Sequence, residues 1–207
     1  MCGRYVVTNA VAKTKGLVKS TIKVEDSENY NAHPQQMLPV IKKYTNGNTL
    51  ENLEWGIVPS WAKKNDFKPL INARLETINE KISFKKLIQL KKCVVVADGF
   101  YEWKRDAQNK IPHYFLREDK KTMFIAGIYD QNQFCLITEQ ANENLKKIHH
   151  RQPVILNEKE VNEYLDLQLN GSVFLKEKSK INLNFYEVSK DVNKPTTNNV
   201  SLIQKLS

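Results

Sequence analysis

A chain of 207 residues, 41% hydrophobic and 9% aromatic, has enough material for one domain with a sizeable core. Its net charge of +9 points to anionic partners, nucleic acid foremost. Three widely separated cysteines, Cys2, Cys93 and Cys135, show no CxxC or Cys/His ligand spacing, so neither a disulfide framework, a metal site nor a cofactor is expected.

Along the chain, "MCGRYVV" alternates as a strand does, and Thr8 or Asn9 can cap a brief helix through "NAVAKTKGLVK". "EDSENYNAHPQQ" is polar and reads as loop. "MLPVIKKY" reads as a strand that Pro39 confines to an edge or a strand start. "NGN" is a hairpin turn with Gly47 able to take positive φ, and "TLENLEWGIVP" returns from it. "SWAKKNDFKPLINARLE" has no period and is expected to be irregular. Thr77 and Glu80 have capping-box spacing ahead of an apolar stripe, which predicts a helix over 78–90. "CVVVADGFYEWK" is a buried β-branched run broken at Asp98-Gly99, and "HYFLRE", "TMFIAGIYD" and "QFCLITE" are further strands. "ANENLKKIHH" and "NEKEVNEYLD" read as helices, the second capped by Asn157 with Glu160 in box position. The expectation is a single α+β domain over 1–207, with a mixed, largely antiparallel, twisted or barrel-like sheet and flanking helices. No apolar leader and no stretch of membrane-spanning length is visible, so a cytoplasmic protein without a membrane partner is expected. No amphipathic surplus suggests an interface, hence a monomer.

Several polar residues interrupt these apolar contexts. Glu102, between Tyr101 and Trp103, is either an exposed strand residue or an inward carboxyl with a raised pKa suited to acid/base work. His149 and His150, followed by Arg151, form a candidate proton-transfer or anion-facing turn. Asn72 and Arg74 share one side of an extended chain, offering an amide and a phosphate fork. Trp61, beside Lys63 and Lys64, suits base stacking next to phosphates, whereas Trp55 reads as core. Cys93 and Cys135 lie in apolar runs and read as buried thiols. Cys2 is either part of a disordered chain end or, once Met1 is removed, a free amine and a free thiol on adjacent carbons.

Taken in order, "MCGRY", "YNAHPQQMLPVI", "WGIVPSW", "INARLET", "CVVVADGFYEW", "IHHRQPVIL" and "VSKDVNKP" resemble the SOS-response-associated peptidase family over nearly the whole chain. The resemblance implies a protein that crosslinks to abasic sites in single-stranded DNA through a processed N-terminal cysteine. The amine of Cys2 condenses with the ring-opened aldehyde to an imine, and the thiol closes a five-membered thiazolidine. By the same resemblance Asn72 positions the sugar and the terminus, Glu102 works as acid/base near the amine, and His149 assists proton transfer. Arg4, Arg74 and Arg151 match phosphate-contacting positions, Trp61 an aromatic against which the strand bends, and Pro34 and Thr138 line the nearby groove. His150 stands where the family has Asp, and His33 where it more often has a small residue.

Three function classes follow: covalent shielding of abasic sites with autoproteolytic loss of Met1, a cysteine-dependent peptidase with Cys2 activated by His149, and reversible single-stranded DNA binding. A peptidase nucleophile does not need a free amine, so the place of Cys2 favours the first.

Overall fold

A computed structural model describes residues 2–62, 67–106 and 109–206. Met1, Lys63 and Lys64 lie outside the described residues, and with them the lysine neighbours expected to flank Trp61. The strands are β1 Tyr5–Thr8, β2 Ser20–Ile22, β3 Glu28–Ala32, β4 Met37–Tyr44, β5 Gly47–Trp55, β6 Asn72–Arg74 and β7 Lys92–Ala97. They continue with β8 Gly99–Asp106, β9 Asn109–Arg117, β10 Met123–Asp130, β11 Gln133–Gln140, β12 Arg151–Pro153, β13 Ile155–Leu156 and β14 Leu183–Glu187. Helices are α1 Ala10–Lys13, α2 Ile82–Lys85, α3 Leu87–Leu90, α4 Glu143–Lys146, α5 Glu158–Leu165 and α6 Gly171–Glu177.

Two sheets organise the chain. The smaller runs β14-β9-β8-β1-β3 and is antiparallel; the larger runs β12-β11-β10-β7-β4-β5-β2, with β6 and β13 attached beside it, and mixes parallel with antiparallel pairs. This is the expected α+β fold with mixed, largely antiparallel sheets. The inner face of the smaller sheet carries Phe100 stacked on Phe115 at 4.9 Å and Phe115 against Phe185 at 5.1 Å, and it joins the β-branched core of the larger sheet. Its outer face carries Tyr101 and Tyr114, covered by Val188, Val192 and Leu202 of the C-terminal segment. Because both faces are covered, β1 buries Tyr5, Val6 and Val7 in succession.

Gly47 takes φ +122° at the β4–β5 hairpin, as the "NGN" turn requires. Gly99 is needed for a different reason: a Cβ there would lie 2.2 Å from the Phe115 carbonyl. Asn157 and Glu160 form their capping box on α5, the Glu160 carboxylate accepting the Asn157 N–H at 2.7 Å.

Local pattern misleads at five places. The polar stretch "EDSENYNAHPQQ", expected to be loop, contains β3, Glu28–Ala32, which pairs with β1. Pro39 is not on an edge strand, since β4 lies between β5 and β7. It is tolerated because pairing with β7 begins only at Val40. The helix expected over 78–90 is two short helices, α2 and α3, entered from Lys81 rather than from the Thr77/Glu80 box. The helix expected through "NAVAKTKGLVK" ends after Lys13, ahead of Gly16 at φ +96°. Within the stretch expected to be irregular, Asn72–Arg74 pairs in parallel with β11. None of the described helices is long and apolar enough to cross a membrane.

Candidate active site

The N-terminal segment is brought to the site by strand pairing. Tyr5 pairs with Phe100 and Val6 with Gly99, and the Tyr101 N–H donates to the Arg4 carbonyl at 3.0 Å. Continuing this register sets Gly3 opposite Glu102 and brings Cys2 alongside the carboxyl. The Asp98 carboxylate anchors the other end of the pairing. It accepts from the Thr8 N–H and hydroxyl, each at 2.8 Å, and pairs with Lys13.

Cys2 is 1% exposed. Its carbonyl accepts from the Asn72 side-chain amide at 2.9 Å, and its thiol donates to the Arg4 carbonyl at 3.8 Å. Strand alternation on β6 turns Ala73 into the core and leaves Asn72 and Arg74 on the other side, which puts the Asn72 amide over Cys2. The Asn72 Oδ1 atom is buried and has no hydrogen-bond partner among the described residues. That leaves one acceptor pointing into the site for a donor on a bound molecule.

Glu102 is 3% exposed, so of its two readings the inward carboxyl is the one realised. Tyr101 is buried as well, on the opposite face, because β8 is covered on both sides. Burial pushes the Glu102 carboxyl above the usual carboxylate range. His149 Nδ1 lies 3.7 Å from Glu102 Oε1. The same Nδ1 lies 3.1 Å from the Arg151 backbone nitrogen and 3.2 Å from the Arg151 carbonyl, so the turn offers it both a donor and an acceptor. Burial lowers the His149 pKa to about 4, so the imidazole is neutral at physiological pH. His150 is exposed and stacks against His149 with ring centroids 4.4 Å apart. Burial also pushes the Cys2 thiol up, and the nearby Glu102 charge adds to this, so the thiol stays protonated.

Cys2, Asn72, Glu102 and His149 therefore converge from the segment ahead of β1, from β6, from β8 and from the α4–β12 turn. The residues expected at DNA phosphates separate into two groups. Arg74 and Trp61 are exposed, Trp61 by 62%, with Phe67 edge-on to its ring at 5.5 Å. Pro34 is half-buried in the turn between β3 and β4, its carbonyl 2.9 Å from His33 Nδ1. Arg151 and Thr138 do not line an open groove, being 6% and 0% exposed. The Arg151 guanidinium grips Glu76 bidentately at 2.7 and 2.9 Å and donates to the Thr138 carbonyl at 2.6 Å and hydroxyl at 3.1 Å. Arg4 is likewise turned inward, onto Asn31 and the Val192 carbonyl. Asn31 in turn donates to the carbonyls of Val192, Lys194 and Thr197, which is how the "VSKDVNKP" stretch holds the N-terminal segment in place.

Sequence reasoning missed Asn31 and Glu76 as partners of Arg4 and Arg151. Nothing local announces them, since the pairs are separated by 27 and 75 residues. Cys93 and Cys135 are free and buried in the core, as expected.

The profile of the SOS response associated peptidase (SRAP) family matches residues 1–195. The chain is 32% identical to abasic site processing protein YoqW of Bacillus subtilis, covering 99% of both chains. It is 29% identical to abasic site processing protein YedK of Escherichia coli, over 83% of this chain and 82% of that protein. A solved structure of a Bacteroides thetaiotaomicron protein superposes with a TM-score of 0.84 at 24% identity, covering 100% of both chains, which establishes a shared fold. The chain belongs to the SOS response associated peptidase family.

Proposed function

We propose that the protein binds single-stranded DNA and crosslinks to abasic sites through Cys2 after loss of Met1. One observation carries the reading: Cys2 is held by Asn72 in a closed pocket beside Glu102 and His149. The names of the relatives, abasic site processing proteins, support the substrate. The +9 charge and the exposed Trp61 suit a single-stranded nucleic acid.

The chemistry follows from the protonation states. With Met1 gone, the Cys2 ammonium sheds a proton to the Glu102 carboxylate, and the amine nitrogen adds to the aldehyde carbon of the open sugar. The Glu102 carboxyl then protonates the departing oxygen, which leaves as water, giving an iminium. The thiol adds last: its sulfur bonds to the same carbon as its proton returns to Glu102, and the ring closes as a thiazolidine. A thiol kept protonated by burial reacts only after the iminium has formed, which places nitrogen attack first. Neutral His149 faces Glu102 through Nδ1 and assists these transfers.

A peptidase reading needs a Cys2 thiolate paired with His149. Burial disfavours the thiolate, and His149 engages Glu102 instead. The test is a denaturing gel of protein beginning at Cys2 with oligonucleotides that do or do not carry an abasic site. A heat-stable band with the abasic strand alone is expected, and Cys2→Ser should remove it. A stable adduct of full yield from Cys2→Ser, or none from the wild type, contradicts the reading.

A further inference from the structure

Glu102 stands directly opposite His113 on β9, and His113 stands directly opposite Glu187 on β14. Opposed residues of antiparallel strands project from the same face, with Cβ atoms about 5 Å apart. The adjacent row behaves in this way: Phe100, Phe115 and Phe185 pack ring to ring across the same three strands. Glu102, His113 and Glu187 therefore form a row across the inner face, from a carboxyl 3% exposed, through an imidazole 9% exposed, to an exposed carboxylate.

The His113 ring is edge-on to Phe185 at 6.0 Å, and its Nδ1 lies 3.0 Å from the Ile111 carbonyl. A donated Nδ1–H leaves the Nε2 lone pair to accept a proton. The charged groups that strand alternation places on this face are Glu102, Lys104 and Asp106 from β8, Arg117 from β9 and Glu187 from β14. The turn Lys190–Asn193 packs through Val192 on the outer face.

The crosslinking reading creates a need that this row meets. Starting from the ammonium, thiazolidine formation releases one water and one proton. Glu102 takes a proton from the ammonium, gives one to the leaving oxygen and takes one from the thiol, so it ends protonated. Glu102 holding the thiol's proton can return it to the sulfur and reopen the ring, so the adduct accumulates only as that proton leaves, while the bound strand occupies the mouth. We propose that His113 carries it from Glu102 to Glu187 and out to solvent. The proposal rests on the crosslinking reading above, and His113 acts through Glu102 without touching the DNA.

The test times adduct formation and release from a limiting amount of abasic single strand in dilute buffer, with thermal melting measured alongside. His113→Ala should form the same Cys2-dependent adduct about tenfold more slowly. Added imidazole should restore most of the rate, whereas pyrazole, of the same shape but far less basic, should not. Glu187→Gln, at an exposed position, should slow the reaction about threefold in dilute buffer and recover in concentrated buffer. A wild-type rate for His113→Ala, or equal rescue by imidazole and pyrazole, overturns the relay. Should His113→Ala fail to fold, a wild-type rate for Glu187→Gln in dilute buffer overturns it instead. A wild type that forms no adduct overturns the crosslinking reading and the relay together; a crosslinking wild type with an unaffected His113→Ala overturns the relay alone.

Discussion

Arg74 and Arg151 lie two strands apart, on β6 and β12 with β11 between them, and the fold uses the same guanidinium in opposite ways. Arg151 is 6% exposed and bound to Glu76 and Thr138; Arg74 is exposed. A desolvated guanidinium needs hydrogen bonds inside the protein, and the two terminal nitrogens of Arg151 find them in a bidentate carboxylate and in Thr138, while its buried Nε has no hydrogen-bond partner among the described residues. An exposed one keeps its donors for a phosphate. Arg151 thus shapes the wall of the site beside His149, while Arg74 stays exposed.

Substitutions should separate wall from rim. Arg151→Ala removes the partner of Glu76 and the tie to Thr138. It should lower stability by about 3 kcal/mol, discounted from a fully buried pair because the Glu76 side chain is 39% exposed. Denaturant unfolding measures it, and a loss near zero would move Arg151 to the rim. Trp61→Ala should weaken oligonucleotide binding by about 1–3 kcal/mol through lost stacking, with an unchanged melting temperature. Arg74→Ala should flatten the slope of log affinity against log salt by about 0.7, the share of one single-strand phosphate contact, with stability within about 0.5 kcal/mol of wild type. An unchanged slope would remove Arg74 from the ligand's path.

The wall also makes a pH prediction. His149 has a folded pKa of about 4, against 6.5 when unperturbed, so between these values the unfolded chain binds the extra proton. Stability from this group is complete above pH 6.5 and is lost as pH falls toward 4. Glu102 works with the opposite sign: its raised pKa contributes stability below the ordinary carboxylate range, and this is lost as pH rises through the folded value. Proton-detected titration of the imidazoles should place His149 near pH 4. A midpoint at or above 6.5 would mean that the ring is charged and that the pocket is not dry.

The sequence made the strands and the chemistry legible for physical reasons. Alternation marked β1 and β8, the "NGN" turn marked β4 and β5, and the Asn157/Glu160 box marked α5 because both partners lie within four residues. The short sequence runs around Cys2, Asn72, Glu102 and His149 also pointed to one site. What stayed illegible depends on distant partners. Whether Glu102 faced in or out turned on both faces of β8 being covered, and the C-terminal segment supplies one of the covers. Nothing near Arg4 or Arg151 in the sequence announces Asn31 and Glu76, the partners that hold them. His113 is intermediate: counting back from the β8–β9 hairpin, with Asp106 opposite Asn109, sets it against Glu102.

The most direct test of the central claim is the intact mass of the species formed with an abasic single-stranded oligonucleotide. The account predicts the mass of the chain beginning at Cys2, plus the oligonucleotide, less one water, with the modification mapped to Cys2. A covalent species that retains Met1, one attached through another residue, or no covalent species from protein shown to begin at Cys2 would contradict it.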